Sequence, residues 1–219
     1  MTQTTARQAP NTAETMLVAG AGEAVCLGFA NTLAWRGSAA PIEALRDFAA
    51  LLAWAEAHAA LPAQVAKRLA EWACGQPAKS DEALAEAIVM REAIYRSASA
   101  FACGAAADDR DFAVLSDALA LAPARQRLAR LANGFAWQID LGNADGAGLP
   151  MPVLLAPVLW SAGDLMVGSA CRRIRQCAND QCLWLFVDAS KSGTRRWCDM
   201  AACGNRAKAR RHYLKAKRG

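Results

Sequence analysis

Four cysteines near the end of the chain have the spacing of a metal site. Cys177 and Cys182 are separated by four residues, as are Cys198 and Cys203, and fifteen residues lie between the pairs. A closely spaced pair can curl both sulfurs toward one ion, and the intervening segment is long enough for a hairpin that delivers the second pair to the other side. Zinc has no d-electron geometric preference and accepts four sulfurs in a tetrahedron, so one structural zinc ion is the expected cofactor, ahead of an iron–sulfur cluster. Four thiolates leave no open coordination position, which argues against catalysis at this metal.

Charge points to the partner of this module. From Cys171 to Gly219 thirteen Lys and Arg face three Asp, a net of +10, whereas residues 1 to 170 carry −5. Four thiolates and one Zn²⁺ would lower the tail only to +8. A cationic piece this small needs a metal to fold and suits a polyanion, with DNA the first candidate. The candidate contacts are Arg195, Arg196, Arg206, Lys208, Arg210 and Arg211, in the segment before Cys198 and on the terminal helix. Each phosphate neutralised releases counterions, and Arg can also grip guanine with a bidentate bond. Two other readings stay open: a zinc-stabilised protein-interaction adaptor, and a small-molecule-binding protein whose basic tail is only a solvated face.

The residues around the sulfurs carry a resemblance. Phe186-Val187-Asp188-Ala189-Ser190, Arg195-Arg196-Trp197-Cys198-Asp199-Met200 and Cys203-Gly204-Asn205-Arg206-Ala207-Lys208 resemble the CGNR zinc-finger family, whose name is the Cys203–Arg206 motif. Ala24 to Leu33 resembles the signature that opens the ABATE domain usually found upstream, with Gly28 where members commonly carry an acid. The resemblance implies a two-part transcription regulator induced by stress. The expected fold is mainly α with a small β component: a mobile N-terminus over 1–20, a helical domain over 21–170, and a zinc module over 171–219 with a treble-clef-like hairpin and helix.

The pattern of apolar residues predicts the elements that position the module. Helices are expected over 41–57, from Leu61-Pro62 to about 73, over 81–103 with Ser80 as cap, over 108–121, over 123–131, and over 152–171. Asn133-Gly134 reads as a turn before a strand at Phe135–Leu141, and Gly142 to Gly148 closes that strand. Arg172–Gln176 and Leu183–Val187 read as short finger strands, and Gly204 starts the terminal helix, with Cys203 at its first turn. Asn31, Thr32, Trp35 and Arg36 are the candidate ligand pocket if the helical domain senses a small molecule; the alternative is that they turn the chain and fill core. A homodimer is a further candidate arrangement.

Composition and motif content narrow the rest. The chain has 219 residues, 54% hydrophobic and 21% charged, enough for one larger core and one small module. Only two His occur, His58 and His212, with no phosphate-binding glycine loop and no nucleophile elbow, so no enzyme is expected. The polar first fifteen residues and the proline-interrupted apolar run 147–163 suggest neither signal peptide nor membrane span, and a cytoplasmic location is expected. There, Cys26, Cys74, Cys103 and Cys171 are expected as small buried side chains, a spare ligand or redox-sensitive thiol being the lesser reading for Cys171.

Overall fold

The computed structural model describes residues 15–18, 24–141 and 148–217, and of the final helix 205–216 the side chains of 205–209 and 213 only. The described chain runs β1 (Thr15–Val18), α1 (Ala24–Ala30), β2 (Leu33–Ala34), β3 (Ile42–Glu43), α2 (Phe48–His58), α3 (Ala63–Gly75), α4 (Pro77–Ala102) and α5 (Asp109–Leu121). It continues with β4 (Arg127–Leu131), β5 (Gly134–Asp140), α6 (Met151–Leu154), α7 (Ala156–Val167), β6 (Ile174–Gln176), β7 (Leu185–Val187) and α8 (Asn205–Ala216). The fold is mainly α with a small β component, as expected.

α7 is the axis of the core. Ala156 through Ala162 are all buried, so the first two turns of the helix take neighbours on every side, while Asp164 and Val167 near its end are exposed. α1 packs on it, and the Ser161 hydroxyl accepts a hydrogen bond from the Cys26 N–H in the first turn of α1 (3.1 Å). α4, 26 residues long, presents Ala87, Met90, Ala93, Ile94, Ser97 and Ala98 to the same core. A three-stranded antiparallel sheet in the order β1–β5–β4 covers another side, with Met16 opposite Ile139 and both buried.

Several elements differ from the sequence reading. β1 lies within the segment expected to be irregular, and β5 supplies its ladder. The helix expected from residue 41 starts at Phe48, because Asp47 caps it by accepting from the Ala50 N–H (2.7 Å) and Ile42–Glu43 pairs with β2. Ser80 is no cap: α4 begins at Pro77, whose fixed φ suits a first turn, and the Ser80 hydroxyl donates to the Pro77 carbonyl. Residues 127–131 form a strand rather than a helix, since β5 pairs with them across the tight turn Ala132-Asn133, which Gly134 (φ 145°) follows as the first residue of β5. The helix expected over 152–171 is broken at Leu155, where Pro157 has no N–H to donate back to Val153, and it stops at Val167. Cys74 and Cys103 are exposed, at or just past the ends of α3 and α4, while Cys26 is buried as expected. The segment 142–147 and residues 1–14 and 19–20 lie outside the described residues.

Candidate metal centre

The finger starts as a hairpin. β6 and β7 pair antiparallel, Ile174 opposite Val187 and Gln176 opposite Leu185, and Cys177 continues the ladder by donating its N–H to the Trp184 carbonyl (2.8 Å). Asn179 shapes the turn between the first two cysteines. Its Oδ1 accepts from the Gln181 N–H, its carbonyl accepts from the Cys182 N–H, and its Nδ2 points at the Cys203 sulfur (3.5 Å). The second pair is shaped by Asp199, which accepts from the Ala202 N–H (2.6 Å) and whose carbonyl accepts from the N–H groups of Cys203 and Gly204. A wide turn over Met200–Gly204 then feeds α8, so Cys203 sits just ahead of that helix rather than inside its first turn. At Gly204 a Cβ would come within 2.8 Å of the Met200 sulfur and 3.4 Å of the Trp197 ring.

These two turns bring Cys177, Cys182, Cys198 and Cys203 together, every sulfur within 4.8 Å of the others. The Cys182–Cys198 and Cys198–Cys203 sulfur separations are both 3.7 Å. A tetrahedral zinc with sulfur bonds of about 2.3 Å spaces its ligands by about 3.8 Å, so the donor set fits that ion. Three of the four cysteines are buried. Burial works against the Cys177 thiolate, yet the N–H groups of Cys198 and Asn179 outweigh it and the thiol lies below its usual range. Burial and the neighbouring sulfurs push Cys182 up to about 11 and Cys198 higher still. Cys177, Cys182 and Cys198 ionise together only with a cation among them.

A family model for ABATE, described as "Putative stress-induced transcription regulator", matches residues 23–169. The chain belongs to the ABATE family. A second model, the CGNR zinc finger, matches residues 173–216, and the four-sulfur cluster is its structural zinc site. No curated protein matches the chain. Among the described residues of the ABATE chain, no helix is long and apolar enough to cross a membrane.

The cationic residues named from sequence divide into three groups. Arg195 is taken up by its own module: Nε donates to the Trp197 carbonyl (2.9 Å), Nη2 reaches the Cys198 carbonyl, and the guanidinium lies over the Phe186 ring at 4.5 Å. Arg196, Arg206 and Lys208 are exposed, with Arg196 stacked over Trp197 at 5.4 Å and Arg206 over Trp35 at 4.7 Å. Arg210 and Arg211 lie on α8, but their side chains are outside the described residues. Asp188, which the sequence reading gave no role, is fully buried and closes the loop 189–195 by accepting from the N–H groups of Ser190 and Arg195, both at 2.9 Å. The Ser190 side chain beside it and those two N–H groups hold its carboxyl below the usual range. An acid directly after a strand, with a Ser and a Gly turn following it, was its local sequence signal.

The four residues suggested as a ligand pocket are placed otherwise, in the seam between the ABATE domain and the finger. Asn31 is buried and pairs with the backbone of Leu185. The Thr32 hydroxyl donates to the Phe29 carbonyl (2.7 Å) and accepts from buried Arg91. Trp35 packs against the cysteine cluster. Arg36 forms a bidentate pair with Glu92 (2.7 and 2.9 Å) and lies 3.7 Å over the Tyr95 ring. Buried polar groups need partners, and here the protein itself supplies them for all but the Arg36 Nε. A cleft of about 360 Å³ is lined instead by Arg68, Glu71, Trp72, Gln76 and Gly148. Cys171 lies in the short 169–173 helix against the main core and is not one of the four clustered sulfurs.

Proposed function

We propose that this ABATE protein is a DNA-binding transcription regulator that acts by binding rather than by catalysis. The observation that carries the reading is the placement of exposed Arg196, Arg206 and Lys208 on the segments that the clustered cysteines fix. Bound zinc supplies a rigid cross-link between the hairpin and α8, and the chain's own side chains supply the charge. Arg196 precedes Cys198 by two residues and Arg206 follows Cys203 by three, so the sulfurs hold both guanidinium groups on one small frame. α8 spans 12 residues, about 18 Å at 1.5 Å per residue, a length that suits the major groove. The ABATE domain dimerises or takes a small-molecule or stress signal in this reading.

Selection from a random pool of duplex DNA, followed by titration at two salt concentrations, tests it. The expected result is an enriched sequence and an affinity that falls steeply with salt. Arg196→Ala and Arg206→Ala should each lower the slope of log K against log salt by about 0.9. No enrichment together with a flat salt response would replace this reading with a protein-interaction adaptor.

A further inference from the structure

The first cysteine pair is gripped from outside the finger. Asn31, just past the end of α1, donates from Nδ2 to the Leu185 carbonyl (2.8 Å) and accepts the Leu185 N–H at Oδ1 (3.0 Å). It thereby takes the place of a neighbouring strand on the free edge of β7. Tyr95 of α4 donates its hydroxyl to the Leu183 carbonyl (3.0 Å) and accepts from Gln176 (3.0 Å), which also donates to Ser99 (2.9 Å). The Gly37 N–H donates to the Gln181 carbonyl (3.2 Å), and a Cβ at Gly37 would fall 1.9 Å from the Asp180 carbonyl oxygen. These contacts land on 176, 180, 181, 183 and 185, so they bracket Cys177 and Cys182 on both sides.

The backbone supports the same reading. Trp35 and Leu183, one on each side of the seam, both adopt a left-handed conformation with φ 55°, which bulky residues rarely take unless neighbours enforce it. Leu183 follows Cys182 directly, and its carbonyl is the one that Tyr95 holds. Trp35 packs on the sulfurs and carries Arg206 over its ring.

We propose that the turn 31–37 and Tyr95 form a clasp by which the ABATE domain sets how firmly the finger keeps its zinc and where Arg206 stands. Asn31, Gly37 and Tyr95 are positioning residues in this arrangement, since none offers an atom to the metal. The proposal rests on the zinc site and holds whether or not the finger binds DNA.

Zinc transfer from the loaded full-length chain to the chromogenic chelator pyridylazoresorcinol tests it. Tyr95→Phe, which keeps the ring and removes the hydroxyl, should speed release about fivefold. Asn31→Ala and Gly37→Ala should speed it by roughly ten- to a hundredfold, as for the partners of metal ligands elsewhere. Leu115→Ala, in the core of α5 away from the seam, should lower Tm and leave the release rate at the parent value. Parent rates in both Tyr95→Phe and Gly37→Ala would overturn the clasp. So would an equal acceleration by Leu115→Ala at the same drop in Tm, since release would then follow global stability.

Discussion

Asn179 orders the first cysteine turn, accepts from Gln181 and directs its amide at the Cys203 sulfur, so the ligand geometry depends on more than the ligands. The ligands themselves are expected to behave as a set. Cys177→Ser should abolish stoichiometric zinc and unfold the finger while the helices of the ABATE domain persist. Metal content and far-ultraviolet circular dichroism read both effects, and the lost binding energy is on the order of 10 kcal/mol by the scale of zinc-finger peptides. Asp188 acts at the same scale on the loop beside it. Asp188→Ala leaves the Ser190 and Arg195 N–H groups without their acceptor, so trypsin should cut at Lys191 faster than in the parent. Equal cleavage rates would mean that the loop is held by other means.

Elements show where sequence speaks and where it does not. The cysteine spacing, the finger strands, the turn ahead of Gly134, α3 and α5 follow from local signals that the structure repeats. Asp108 caps α5 by accepting from the Arg110 N–H, as a dipole-bearing helix start demands. β4 and β1 were not legible, because a strand draws its ladder from β5 and that partner lies elsewhere in the chain. The seam was hidden for a related reason: Asn31 and Leu185 are 154 residues apart and only the fold joins them. Arg91 illustrates the gap. Nothing local marks it for burial, while the structure buries the whole side chain with Glu43, Glu92 and Thr32 around its guanidinium. The start of α2 gives a direct check. Asp47→Ala should cost about 1 kcal/mol, the usual worth of an N-cap, read as a lowered Tm.

At the scale of the molecule, an acidic helical body and a cationic zinc module meet across a polar seam. Burial raises the Glu92 carboxyl there, but its hydrogen bonds and charge pairing with Arg36 and Arg91 outweigh that and leave it below its ordinary value. A carboxyl depressed on folding contributes stability above its unfolded pKa of about 4.3, and loses it as pH falls through the lower folded value. The stability difference between the parent and Glu92→Gln should therefore be constant above about pH 5 and shrink in acid. Denaturant unfolding at a series of pH values measures it, and a difference that grows in acid would refute the assignment.

The account turns on zinc organising the cationic face. Its most direct test is a DNA titration of the full chain before and after chelation, each at low and moderate salt. The expected result is tight, salt-dependent binding by the zinc-loaded chain, lost on chelation and restored by one equivalent of zinc. Binding that is unchanged by metal removal, or absent from the loaded chain at low salt, would contradict it.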